Sequence, residues 1–184
     1  MRVIGGTARG RRLRVPRGKA VRPTADRVRE TLFNWLQGEL EGAVVLDLFA
    51  GSGALGIEAL SRGAGHATFV EQSRAAAAVL RENVEAVFGE DPRIRRIQSS
   101  AWGVLERPPD RAFDLVFLDP PFGHHWADRA ARALEEGAWL APGARIYVEA
   151  GVDEGPPQVP PGWEEDRAGT CGESSFHLYR RTQG

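Results

Sequence analysis

The run Asp119-Pro120-Pro121-Phe122 carries the most specific chemistry in this sequence. Two consecutive prolines fix the backbone and remove two N–H donors. What remains is rich in acceptors: the Asp119 carboxylate and the Pro120 carbonyl, with the Phe122 ring beside them. A flat amine on an aromatic ring offers two N–H donors and a π-face. It could give one hydrogen bond to each acceptor while its ring stacks on Phe122. The lone pair of such an amine is delocalised and weakly nucleophilic. Two fixed acceptors would polarise the N–H bonds and turn the pair toward an electrophile. In isolation the same run also reads as a Pro-Pro turn that closes a strand.

A second cluster is Gly51-Ser52-Gly53-Ala54-Leu55-Gly56, a G-x-G-x-x-G pattern between an apolar run and a helical one. Glu71 closes the next apolar run, roughly 20 residues on, as in dinucleotide sites. Glycines let a cofactor approach the backbone, and the acid takes ribose hydroxyls. Those features suit any adenosine-containing cofactor. Asp47, four residues before Gly51, separates the candidates. A carboxylate there repels the pyrophosphate of NAD but attracts the sulfonium and ammonium of S-adenosylmethionine. An NAD-dependent oxidoreductase stays as the alternative from another class, although nothing in the sequence supplies a hydride-transfer site.

These residues need a scaffold that brings strand ends together, and the hydrophobic pattern predicts one. Apolar runs at 43–48, 67–70, 94–98, 113–118 and 144–149 alternate with helical patterns, which implies a mostly parallel sheet covered on both faces. Ligands bind such sheets at the carboxyl ends of the strands, where Asp47, Glu71 and Asp119 fall. Residues 164–167 and 174–180 read as a terminal antiparallel pair, giving seven strands in all. Residues 1–6 and 11–16 read as a hairpin. Thr24 reads as a helix N-cap, followed by apolar residues at helical spacing as far as Leu40. The expected organisation is a basic hairpin arm and linker over residues 1–22 and an α/β domain over 23–184.

Charge is divided along the chain. Residues 1–29 hold ten basic side chains against one acidic, and the remainder holds fourteen against twenty-four. A basic arm on an acidic body suggests a polyanion met at one end, and an Arg-rich arm suits RNA. The single cysteine, Cys171, excludes an internal disulfide, and four scattered histidines predict no metal site. The chain has no apolar run long enough to span a membrane and no signal-peptide core, so a cytoplasmic protein without membrane association is expected.

Residues 46–56, Glu71 and residues 119–122 together resemble the amino-methylating branch of the Rossmann-like methyltransferases, which includes adenine-N6, guanine-N2 and glutamine-N5 enzymes. A further block, Arg22-Pro23-Thr24-Ala25-Asp26-Arg27-Val28-Arg29-Glu30-Thr31-Leu32-Phe33-Asn34-Trp35-Leu36, narrows this. With the basic opening of the chain it is similar to the bacterial ribosomal RNA small-subunit methyltransferase D family, over essentially the whole length. The resemblance implies methylation of a guanine N2 in the helix 31 loop of 16S ribosomal RNA, at family position 966, within the small subunit or its assembly intermediate. S-adenosylmethionine would be the cofactor, and a monomer is expected. It also implies site residues. Asp119, Pro120 and Phe122 would hold the amine. Asp47, Phe49, Gly51, Gly53, Glu71, Gln72, Ser100 and Ala101 would hold the cofactor, with Ser100 standing where the family usually has an acid or amide near the adenine. Arg9, Arg11, Arg12, Arg22 and Thr24 would meet the RNA. N6-adenine methylation of RNA or DNA uses the same corner and remains an alternative.

Overall fold

The computed structural model describes residues 1–17 and 23–182, with the side chains of 23–25 outside the description. A seven-stranded sheet runs through the molecule in the order β3-β2-β1-β4-β5-β7-β6. The strands are β1 (Val44–Asp47), β2 (His66–Glu71), β3 (Ile94–Gln98), β4 (Phe113–Leu118), β5 (Leu140–Gly151), β6 (Trp163–Cys171) and β7 (Ser174–Arg181). The first five are mutually parallel; β7 runs antiparallel to β5, and β6 to β7. Five helices complete the fold: α1 (Pro23–Trp35), α2 (Ala54–Ser61), α3 (Arg74–Phe88), α4 (Ala101–Leu105) and α5 (Trp126–Glu136). The expected mixed α/β architecture is therefore present.

Side-chain alternation along the strands divides the core in two. Val45, Phe69, Phe117 and Tyr147 bury one face with α1 and α2. Leu46, Val70, Val116 and Val148 bury the other with α4 and α5. Burial on both faces explains why these strands read as unbroken apolar runs. Among the described residues no helix is long and apolar enough to cross a membrane.

The structure differs from the sequence expectation at several places. Thr24, read as an N-cap, lies within α1, which starts at Pro23. Strand β6 spans Trp163–Cys171 rather than 164–167. The expected strands over 1–6 and 11–16 reduce to one bridge, Arg2 to Arg12. Helix α1 stops at Trp35, and a turn with Gly38 at φ 85° follows. Leu36 and Leu40 still reach the core from that turn, so the apolar spacing outlasts the helix. Strand β5 begins at Leu140, across Pro142-Gly143, because its pairing with β4 jumps from Leu140 to Arg145 and bulges the intervening residues out. Helix α4 has five residues and includes Gly103, too few to show a periodic pattern.

The N-terminal segment closes antiparallel through one bridge, Arg2 to Arg12, with the Val3 amide donating to the Arg11 carbonyl (2.9 Å). It is bound to the body. Glu58 of α2, fully buried, accepts from the amides of Ile4 (2.8 Å) and Gly5 (2.9 Å) and pairs with Arg62 (2.8 Å) and Arg29 (3.7 Å). Val3, Ala8 and Leu13 join the core of α1 and α2. Gly6 lies so close to Ser61 that an added Cβ would sit 1.9 Å from its carbonyl oxygen.

Candidate active site

Four carboxylates gather at the carboxyl ends of four adjacent strands. Pairing sets Asp47 beside Phe69 and Phe117, and Phe117 beside Tyr147. Two residues further along the same face come Glu71 after Phe69, Asp119 after Phe117 and Glu149 after Tyr147. The face that buries the α1–α2 core therefore ends in a row of acids, Glu71, Asp47, Asp119 and Glu149, across β2, β1, β4 and β5.

Glu71 organises the glycine loop. Its Oε1 accepts from the Gly51 amide (2.8 Å) and its Oε2 from the Ser73 amide (2.7 Å). Each oxygen keeps a lone pair for a further donor. Asp47 is buried, and its Oδ2 accepts from the Gly56 amide (3.1 Å). Burial pushes its carboxyl up to about 7, the Gly56 amide opposes that, and the Glu71 charge adds to it. A carboxylate held this way is stabilised by an incoming cation.

The three glycines have different reasons to be there. An added Cβ at Gly56 would strike the Phe69 ring at 2.3 Å, and one at Gly53 would strike Leu80 at 2.4 Å. Both are packing glycines that let α2 and α3 approach the sheet. Gly51, at φ 55°, faces open space, so it alone fits the expectation of room for a cofactor. Asn83 of α3, which no motif in the sequence marks, ties the loop to the arm. Its Nδ2 donates to the carbonyls of Ser52 (2.9 Å) and Arg14 (3.0 Å), and its Oδ1 accepts from the Arg14 amide (2.8 Å).

The remaining predicted cofactor residues lie along the same edge. Ser100 caps α4 by accepting from the Gly103 amide (3.0 Å), which leaves its hydroxyl proton to donate. Ala101 is buried, and Gln72 is exposed in the turn after β2. Phe49 meets Trp102 edge-on (6.1 Å), Trp102 meets Trp126 edge-on (6.0 Å), and His124 stacks on Trp126 (4.7 Å). Arg129 lies over the Trp102 ring at 3.9 Å. This aromatic wall joins α4 to α5 and carries no signal in local sequence spacing.

At the amine corner, Pro120 is buried, Asp119 half-buried and Phe122 37% exposed. Phe122 packs over the Gly151 backbone, where an added Cβ would stand 3.4 Å from the ring. The segment after Phe122 turns through left-handed backbone at Gly123 (φ 95°), which glycine adopts freely, and at His125 (φ 52°), where a side chain makes it costly. Glu154 holds it, accepting from the amides of His125 (3.2 Å) and Gly151 (2.9 Å). Burial pushes the Glu154 carboxyl up, but the Gly151, His125 and Gly123 amides prevail and hold it below its ordinary value. Tyr147, fully buried, donates to Glu149 Oε2 (2.9 Å). Its own proton is held tightly by burial and by the charges of Glu149 and Asp119. Sequence reasoning misses Tyr147, Glu149 and Glu154. The signal that finds Asp47 and Glu71, an acid closing an apolar strand, would also have found Glu149.

The three predicted RNA residues of the N-terminal segment lie at the surface. Arg9 and Arg12 are exposed, while the Arg11 guanidinium donates to the Ala86 carbonyl. Arg22 and the Thr24 side chain lie outside the described residues. Among the described residues no group of His, Cys, Asp and Glu could hold a metal ion.

Known proteins share this sequence and this fold. The profile of a family described as conserved hypothetical protein 95 matches residues 1–180. Ribosomal RNA small subunit methyltransferase D of Escherichia coli strain K12 is 44% identical over 181 residues, which is 98% of this chain and 90% of that one. The protein of the same name from Haemophilus influenzae is 42% identical, covering 98% and 93%. The solved structure of YhhF from Escherichia coli superposes with a TM-score of 0.90 at 41% identity, over 99% of this chain and 98% of that one. A magnesium protoporphyrin IX methyltransferase from Synechocystis, solved with bound S-adenosylmethionine, shares the fold alone, with a TM-score of 0.65 at 16% identity over 90% and 87%.

Proposed function

Since the chain belongs to the ribosomal RNA small-subunit methyltransferase D family, we propose that it transfers a methyl group from S-adenosylmethionine to the exocyclic N2 of a guanine in 16S ribosomal RNA. The observation that carries the proposal is the row of acids at one sheet edge, with a Pro-Pro corner and an exposed ring beside it. The target is the helix 31 loop guanine at family position 966. The substrate is the small subunit or its assembly intermediate, met in the cytoplasm by a monomer.

The site fits the cofactor on its own terms. Glu71 keeps lone pairs for ribose hydroxyls, Gly51 opens on free space, and Asp47 gains from a nearby cation. Phe49, Gln72, Ser100 and Ala101 complete the cofactor side, and Gly53 serves it by shaping the loop through its close approach to Leu80. When bound, S-adenosylmethionine supplies an electrophilic methyl group on a sulfonium. Asp119 and the Pro120 carbonyl accept the two N–H bonds of the amine and draw its lone pair out of conjugation. Phe122 stacks on the base and fixes its plane, so attack is in line with the bond that breaks. With S-adenosylmethionine in place, methyl transfer to the amine would leave the electron pair of the broken S–C bond on sulfur, and the amine nitrogen would lose a proton. The base must be unpaired or flipped out to reach the corner. Residues 1–22 act as the RNA-contacting arm of the domain formed by 23–184, through Arg9, Arg11, Arg12, Arg22 and Thr24.

The test is methyl transfer from labelled S-adenosylmethionine to small subunits that lack the modification, followed by mass mapping of the product. A label on one 16S guanine N2 is expected. A label on adenine N6, or none on any RNA, would overturn the assignment.

A further inference from the structure

Asp119, Pro120 and Phe122 accept a flat amine without distinguishing the ring that bears it. Guanine and adenine differ at the atom next to that amine. Beside its amine guanine carries N1–H, a donor, whereas adenine carries N1 as an acceptor. A residue that reads this atom must lie beside Asp119, on the same face, with a fixed and negative acceptor.

Glu149 meets each condition. Phe117 pairs with Tyr147 across β4 and β5, so two residues on, Asp119 and Glu149 stand on the same face at the ends of neighbouring strands. Glu149 lines one crevice with Pro120, Pro121 and Phe122. The Tyr147 hydroxyl donates to its Oε2 at 2.9 Å, which fixes the side chain while using one of its roughly four lone-pair positions. Tyr147 is fully buried, and the charges of both Asp119 and Glu149 act on its hydroxyl, so the three groups share one electrostatic neighbourhood. We infer that Glu149, positioned by Tyr147, accepts the ring N1–H of the target and so selects guanine over adenine. This rests on the proposed guanine-N2 reading.

The energetics favour discrimination by this route. A carboxylate facing N1–H gains a charge-assisted hydrogen bond. The same carboxylate facing the adenine N1 lone pair is left unpaired and repelled. Asp119 and Glu149 together then match the run of adjacent donors on the guanine edge, N1–H and the N2 amine.

The test replaces the target guanine by 2-aminopurine, which keeps the 2-amine and lacks the N1–H. Small subunits are assembled around a synthetic RNA segment carrying either base. Wild-type kcat/KM is expected to fall on the order of 10- to 100-fold on 2-aminopurine. Glu149→Ala and Glu149→Gln should bring the two bases within about threefold of each other by slowing guanine, with affinity for S-adenosylhomocysteine unchanged. Tyr147→Phe should weaken discrimination without abolishing it. Equal wild-type rates on the two bases, or variants that keep the wild-type ratio, would overturn the inference. Failure of the wild type to methylate the guanine substrate at all would instead overturn the guanine-N2 reading. If Glu149→Ala does not fold, the change of ratio in Glu149→Gln and Tyr147→Phe carries the test.

Discussion

Asp47 and Asp119 end neighbouring strands, yet their surroundings give them different work. Asp47 is buried with its proton held up to about 7, above the ordinary 3.8. Between those values the folded chain binds more protons than the unfolded one. Ionisation of Asp47 therefore subtracts from stability as the pH rises from about 4 to about 7. Cofactor binding runs the opposite way, because a cation favours the ionised form. Calorimetry with S-adenosylmethionine should show affinity about tenfold weaker at pH 6 than at pH 8, and Asp47→Asn should remove that dependence. A flat wild-type profile would show that Asp47 does not sense the cofactor. Asp119 is half-buried at the corner, and its proposed effect belongs to the transition state. Asp119→Ala should cut kcat by 100-fold or more, roughly the scale of a lost preorganised acceptor, with S-adenosylhomocysteine affinity nearly unchanged. Equal loss of both would assign Asp119 to the cofactor.

At the scale of elements, the glycine loop couples packing to binding. Gly56→Ala places a methyl 2.3 Å from the buried Phe69 ring and should destabilise the fold by ~1–3 kcal/mol in urea unfolding, the usual cost of overpacking. Because Gly56 also donates to Asp47, cofactor affinity should fall with it. Gly51→Ala meets no atom and should cost only the ~1–2 kcal/mol of a left-handed residue, yet weaken the cofactor by more than that stability loss implies. Should Gly51→Ala bind the cofactor normally, the open space beside it would not be the cofactor's. The segment 123–125 is the loop counterpart. Glu154 fixes it from outside the motif, so the Phe122 ring is placed by a residue more than thirty positions away in sequence.

For the whole molecule, the central feature is the attachment of the N-terminal segment. Glu58 holds Ile4 and Gly5 on one side and Arg29 and Arg62 on the other. Glu58→Ala leaves the Ile4 and Gly5 amides without their acceptor, while Arg29 keeps Asp26 at 3.1 Å, and should cost ~1–3 kcal/mol. It should also make the first residues more sensitive to protease while the domain remains folded in the presence of cofactor. Exposed Arg9 and Arg12 are proposed to contribute to the electrostatic part of substrate binding. Reversing both charges should weaken binding to small subunits and flatten its salt dependence, by about 0.7 for each phosphate no longer neutralised on single-stranded RNA. An unchanged slope would remove them from the interface.

Local patterns in the chain were enough to predict a mostly parallel sheet, the succession of its elements along the chain and a Pro-Pro run at a strand end. Those patterns are apolar runs flanked by turn residues, an acid at a strand end and two prolines in succession. Strands β3 and β4 and helix α5 were legible to the residue for that reason. Which distant groups stand beside the corner was not legible. Asn83, Glu154 and the aromatic wall reach the site only because strand pairing and helix packing fold separate segments together, and no spacing along the chain records that. Glu149 lies between the two cases. Its position at a strand end was visible, but its place beside Asp119 follows from β4 and β5 being neighbours in register. The corner proposed to hold an amine was thus written in four consecutive residues, whereas strand register in three dimensions set the Glu149 carboxylate beside it.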